Sequence, residues 1–159
     1  MILVTVGSQK FQFDRLLRAV DELIEKGAIS EKVFGQIGCS QYIPKHYEYK
    51  SFLDREEFAA RESECDILIT HAGTGAIINA VKKGKKVIAV PRLGRYGEHV
   101  DDHQIQIVEQ FTSQNLIYGA ADTTELEDAL RYVREHEFGT YKSSTAALLE
   151  DIENYIEQC

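Results

Sequence analysis

Two groups of residues are suited to chemistry by type and spacing. The first is the turn His71-Ala72-Gly73-Thr74-Gly75, between an apolar run and a helical pattern. Glycines in that position let a ligand approach the main chain and leave unpaired N–H groups at the helix start, which suits a phosphate. Gly73 to Ala76 would present those N–H groups, with the helix dipole adding roughly half a positive charge. The turn is neither G-x-G-x-x-G nor a P-loop, since no Lys-Ser/Thr pair follows its glycines. A structural turn whose glycines only permit tight packing fits the pattern equally well.

The second group is the loop over 91–104, carrying Arg92, Arg95, Glu98, His99, Asp101, Asp102, His103 and Gln104. It follows an apolar run and so stands at the carboxyl edge of a sheet, where open α/β folds bind ligands. Arg92 there would stabilise a leaving diphosphate, while surface salt bridging suits Arg95 better. Glu98, His99, Asp101, Asp102 and His103 have little apolar material beside them and no core to serve, which favours ligand contact. Capping of the following helix by Asp102 and His103 is the plainer alternative. The spacing of His99 and His103 is not H-E-x-x-H and no distant ligand set is evident, so no metal is expected. Asn79 faces away from the apolar side of its helix, where it either reaches a ligand hydroxyl or is solvated. Lys82, Lys83, Lys85 and Lys86 surround Gly84, the expected helix end, where cations complement the dipole.

The elements that must position these residues read clearly. Ile67-Leu68-Ile69 and Val87-Ile88-Ala89-Val90 are continuous apolar runs, the mark of strands buried on both faces of a parallel sheet. Strands are predicted over 66–70 and 86–90, with a helix to 83 between them. Residues 2–6 form another strand, ending at the small turn Gly7-Ser8. Leu16, Leu17, Val20, Leu23 and Ile24 recur on one helical face, and Gly27 stops that helix. Strands at 33–37 and, more weakly, 47–52 follow, then helices over 55–63 and 104–111 and a short strand over 116–118. Thr124-x-x-Glu127 is a possible capping box. A last helix, about 143–157, carries Leu148, Leu149, Ile152, Tyr155 and Ile156 on one face and either docks a partner or packs back on the domain. Tyr42, Tyr47, Tyr49 and Phe52 form an aromatic patch that serves the core, a subunit surface or a ligand. Alternating strands and helices give a parallel sheet with helices on both faces, a Rossmann-like single domain over 1–159.

Bulk properties narrow the class. A formal net charge of −8 argues against nucleic acid as a partner. Cys39, Cys65 and Cys159 form no CxxC pair, which points to a reducing compartment. No apolar run approaches the roughly 20 residues that span a bilayer, and the start of the chain does not read as a signal peptide. A cytoplasmic domain is expected.

Taken in order, Thr70-His71-Ala72-Gly73-Thr74-Gly75, Gly84-Lys85-Lys86-Val87-Ile88-Ala89-Val90-Pro91 and Asp102-His103-Gln104 resemble the carboxyl-terminal donor domain of family 28 glycosyltransferases. Val6-Gly7-Ser8-Gln9 is similar to the family's first strand and turn. The likeness covers roughly residues 1–135 and extends to the small catalytic subunits of two-component enzymes. These include the cytosolic subunit of the UDP-GlcNAc transferase of the dolichol pathway. They also include bacterial exopolysaccharide and capsule β-1,4-galactosyltransferases, which the string from Tyr96 to Gln104 resembles more.

The resemblance implies half of a GT-B enzyme that binds a UDP-sugar without a metal or other cofactor. Gly7 and Ser8 would line the cleft, His71 and Gly73 to Ala76 (with Thr74 and Gly75) would hold the diphosphate, and Asp102, His103 and Gln104 would contact the sugar. Asn79 stands where longer relatives carry a ribose-binding glutamate. A membrane-anchored partner would supply the acceptor half and recruit the chain to the inner face of the membrane. The expected reaction is inverting transfer of a hexose, galactose foremost, to a lipid-linked saccharide, with Glu98, His99 or a partner residue as general base. UDP-GlcNAc transfer, a non-catalytic nucleotide-sugar-binding module and a dinucleotide-dependent oxidoreductase are the alternatives.

Overall fold

A computed structural model describes residues 1–7, 11–98 and 103–139; the expected helix over 143–157 lies outside them. In chain order the elements begin with β1 (Ile2–Thr5), α1 (Asp14–Glu25), β2 (Val33–Gln36), β3 (Glu48–Lys50) and α2 (Arg55–Glu64). They continue with β4 (Ile67–His71), α3 (Thr74–Lys82), β5 (Lys86–Val90), α4 (His103–Ser113), β6 (Tyr118–Gly119) and α5 (Leu126–Glu135). Among the described residues the strands form one sheet in the order β3-β2-β1-β4-β5-β6, every pairing parallel. The Rossmann-like α/β arrangement expected from the apolar runs is therefore present.

Strand side chains alternate between two cores, as the period of two requires. Ile2 and Val4 of β1, with Ile67, Ile69, Ile88 and Val90, pack against Leu16, Leu17 and Val20 of α1 and Leu126, Leu130 and Val133 of α5. Leu3, Leu68, Val87 and Ala89 point the other way, onto Ile77 and Val81 of α3 and Ile107, Val108 and Phe111 of α4. The central strands bury both faces, which is why their sequences are apolar without alternation.

Three local expectations shift. The edge strand β3 is exposed throughout, and the aromatic patch divides. Tyr47 is buried and donates to Leu17 O at 3.0 Å, whereas Tyr49 and Phe52 are exposed. The last strand begins two residues later than predicted, because Leu116 and Ile117 are buried ahead of the pairing segment. The capping box near α5 is Asp122 with Glu125, opening a short 3-10 turn, and not Thr124 with Glu127. Gly84, at φ 72°, follows α3 as expected.

The segment between β2 and β3 is fastened to α1 by a buried carboxylate. Asp21 accepts from Tyr42 Oη at 2.6 Å, Lys45 N at 2.8 Å and His46 N at 2.9 Å. Asp21→Ala strands two backbone donors and is expected to lower the unfolding free energy by about 2–4 kcal/mol. Urea denaturation that shows a lower midpoint at unchanged slope checks this.

Candidate functional site

Parallel register gathers three turns on one edge. Thr5 pairs with Gln36 and Thr70, and Thr70 with Ala89, so the chain leaves β1, β4 and β5 side by side. Between the first two turns stands the His71 imidazole, only 6% exposed. Its Nδ1 lies 3.2 Å from Thr70 Oγ1. A Cβ on Gly7, itself at φ 74°, would stand 2.7 Å from the ring, and one on Gly73 would overlap Nε2. Both glycines are thus demanded by the imidazole, which sets the spacing of the turns. Packing accounts for Gly73 without any ligand.

The start of α3 is a different matter. Gly73 is its extended N-cap and supplies no side-chain cap. The first-turn N–H groups of a helix have no intrahelical partner, and here no side chain answers them. Thr74 is buried, and its Oγ1 has no hydrogen-bond partner. A side chain at Gly75 would meet open space. An uncapped, positively polarised helix end beside an unpaired hydroxyl is a place for an anion.

Beneath the edge lies a cleft of about 580 Å³. One wall is α2, presenting Arg55, Phe58, Ala59 and Glu62; the other is α3 and its C-cap, presenting Ala76, Asn79 and Lys83. Thr5, Gly7, Gln36 and His71 close the upper end, with Leu53 and Asp54 leading into α2. Gly7, His71, Ala76 and Asn79, all expected at the site, are brought together here. Leu53, Phe58, Glu62 and Gln36 were not expected. The available signal was Asp54-x-x-Glu57, a cap that starts a helix: Asp54 accepts from Glu57 N at 2.8 Å. The spacing of Arg55, Phe58, Ala59 and Glu62 then sets one face.

The polar loop after β5 behaves otherwise. Arg92, expected on a diphosphate, has no exposed surface. Its Nη1 donates to Phe11 O (3.0 Å), Gln12 O (3.2 Å) and Glu98 O (3.2 Å), and its Nη2 to Val6 O. Its guanidinium carbon lies 5.2 Å from the Phe13 ring centre, and Nε is unpaired. Burial pulls this guanidinium down to about 10, still protonated at neutral pH. Arg92 is a staple between two loops, with no terminal nitrogen left to meet a ligand.

Glu98, expected as a general base, is also fully buried. Arg15 Nε and Nη2 each donate to it at 3.0 Å, and Leu93 N donates to Oε1 at 3.0 Å. Burial opposes the Arg15 charge, but the hydrogen bond and charge of Glu98 outweigh it and hold Arg15 above its ordinary value. With both oxygens engaged and no access, Glu98 cannot take a proton from an acceptor in this geometry. Gln104, expected on the sugar, is buried with Oε1 accepting from Arg92 N at 2.8 Å. Arg95 is exposed beside the Tyr96 ring. His103 opens α4, while Ser8, His99, Asp101 and Asp102 lie outside the described residues.

A second groove, about 550 Å³, runs between α4 and β6 past Leu93, Ile105 and Val108. It is mostly hydrocarbon and lies away from the start of α3. Among the described residues, no three His, Cys, Asp or Glu side chains are grouped to hold a metal ion.

Because Glu98 neutralises a buried Arg15, Glu98→Ala is expected to lower the unfolding free energy by about 3–5 kcal/mol. Urea denaturation measures the loss, which an exposed catalytic base would not produce.

Comparison with known proteins places these features. Residues 1–159 match the family model described as Glycosyltransferase family 28 C-terminal domain. A UDP-N-acetylglucosamine transferase subunit ALG13 from Yarrowia lipolytica is 26% identical over 165 residues, covering 96% of this chain and 82% of that protein. The ALG13 subunit from Kluyveromyces lactis is 34% identical over 92 residues, 55% of this chain and 45% of that one. An NMR structure of ALG13 is similar at TM-score 0.60 and 19% identity, over 93% of this chain and 94% of that chain. Acinetobacter baumannii MurG is similar at TM-score 0.57 and 17% identity, over 96% of this chain but 49% of that chain. The kitacinnamycin glycotransferase gives 0.61 and 15%, over 99% of this chain and 39% of that chain. Such likenesses speak for the fold, and the match to the family model over the full length carries the assignment: the chain belongs to the glycosyltransferase family 28 C-terminal domain family.

Proposed function

We propose that this chain is the donor-binding, catalytic half of a two-component inverting glycosyltransferase that uses UDP-N-acetylglucosamine. The observation that carries the reading is the uncapped start of α3, where the Thr74 hydroxyl is unpaired and Ala76 lines the cleft between α2 and α3. The diphosphate rests on the N–H groups from Gly73 to Ala76, and the nucleoside extends along α3 past Asn79. Charge that develops on the leaving UDP meets preorganised backbone dipoles, and no metal is needed in this scheme.

In this reading Asp102 and His103, just before and at the start of α4, would contact the donor sugar. His99 or a residue of the partner takes the proton of the attacking hydroxyl, Glu98 being committed to Arg15. The bond from the anomeric carbon to the diphosphate oxygen breaks as the bond to the acceptor oxygen forms. The acceptor, a lipid-linked saccharide, is held by a membrane-anchored second polypeptide that recruits this chain to the inner face of the membrane. The word subunit in the names of the ALG13 relatives supports a partner. Their donor supports N-acetylglucosamine over the galactose that the loop sequence resembled, and neither of these relatives is named for capsule or exopolysaccharide synthesis. No described helix is long and apolar enough to cross a membrane.

Calorimetry of the chain against UDP, UDP-N-acetylglucosamine, UDP-galactose and NADH, each with and without a chelator, tests the reading. UDP and UDP-N-acetylglucosamine are expected to bind regardless of chelator. Ala76→Glu is expected to weaken UDP by about tenfold or more with no loss of stability, because an acid in a first helical turn suits the dipole. NADH binding without UDP binding overturns the proposal, and tighter UDP-galactose moves the donor sugar. In the reconstituted pair, Asp102→Ala abolishes transfer while leaving assembly intact; a non-catalytic module shows no transfer to lose.

A further inference from the structure

The floor of the cleft holds a carboxylate for which the fold has no evident use. Glu62 is 1% exposed, yet it stands on the α2 wall of the cleft. Lys83 Nζ approaches Oε1 at 2.7 Å as an ion pair, without the alignment of a hydrogen bond. Oε2 has no partner among the described residues. A buried carboxylate oxygen left bare costs free energy in the empty protein, and this one is charge-compensated by a single lysine whose ammonium is half-exposed. The contrast with Glu98, where three N–H groups fill the carboxylate, is direct.

We infer that Glu62 is a specificity residue that accepts hydrogen bonds from the ribose hydroxyls of the bound nucleotide. The inference rests on the nucleotide reading above and names the side chain that reads the sugar of the nucleoside. Three observations fix the class of ligand group. An ionised carboxylate only accepts, so it selects donors. Of the donors that a uridine diphosphate offers, the ribose hydroxyls lie nearer the diphosphate than the base N–H does. The depth also fits. Asn79 lies five residues along α3 from Thr74, about 7 Å at 1.5 Å per residue. Helical side chains lean toward the N-terminus, which carries the Lys83 ammonium, and the Glu62 carboxylate with it, back toward the level of Asn79. A cis-diol attached to a diphosphate at the start of α3 falls in this region. Asn79 is exposed and neutral, so it offers one carbonyl acceptor where a carboxylate offers two oxygens. Glu62, on the facing helix, supplies the second acceptor.

The test compares UDP with 2′-deoxy-UDP on the full chain by calorimetry. The native chain is expected to prefer UDP by about tenfold to a hundredfold, the range of hydrogen bonds to a charged acceptor. Glu62→Leu is expected to bring the two nucleotides within about twofold, through a larger loss of affinity for UDP than for 2′-deoxy-UDP, which keeps only the 3′-hydroxyl. Glu62→Gln keeps the shape and one acceptor oxygen, gives an intermediate ratio, and serves if the leucine variant unfolds. Discrimination that persists in Glu62→Gln and Glu62→Leu, or a native chain that binds both nucleotides equally, overturns the role of Glu62 while the UDP site stands. A native chain that binds neither nucleotide ends both readings together.

Discussion

One buried guanidinium constrains the carboxyl edge of this domain. Arg92 has no contact with water and is answered by main-chain carbonyls at Val6, Phe11, Gln12 and Glu98. A cation in the interior is tolerated only when acceptors surround it, so the segment after β1 and the loop after β5 must meet at Arg92. Arg15 adds a second tie from α1, through Glu98 and Pro91 O. Val6 and Phe11 to Phe13 on one side and Pro91 to Glu98 on the other are thereby tied together in one frame.

That frame leaves the chemistry to the middle of the sheet. His71 wedges the turns after β1 and β4 apart by a distance its ring determines, and α3 then starts with its N–H groups uncapped. The cleft below is walled by two helices on the same face of the sheet, and α3 provides both one of those walls and the uncapped N–H groups at its start.

The succession of strands and helices along the chain, the helical faces and the turn at His71 were legible because each rests on local pattern: continuous apolar runs, a spacing of three and four, glycine after a strand. Arg92, Glu98 and Gln104 of the polar loop were misread for a physical reason. Glu98 and Arg92 read in sequence as ligand-facing groups, since they stand in a loop after a buried strand that carries many charged and polar residues. Their partners are 83 residues away at Arg15 and 81 away at Phe11. Burial of a charge is a property of the tertiary fold, and no window along the chain contains it. The cleft was missed for the converse reason. Phe58 and Glu62 sit in a helix whose acidic residues look alike, and only the approach of Lys83 from α3 singles one of them out.

Among the charged and hydroxyl groups near the carboxyl edge, what separates structural from functional is whether the chain already satisfies them. Glu98, Gln104 and Asp21 are each met by donors within the fold, and a group so met gains little from a ligand. Thr74 Oγ1 and Glu62 Oε2 are buried and unmet, one at the first turn of α3 and the other in the cleft it bounds. Arg92 Nε is unmet too, but Arg92 neither lines that cleft nor opens a helix, so an orphan atom implies a ligand only where a cavity or an uncapped helix start adjoins it. The cost of leaving a buried oxygen bare is regained only when a donor arrives. A donor that entered the cleft and reached Glu62 Oε2 would regain that cost and brace α2 against α3.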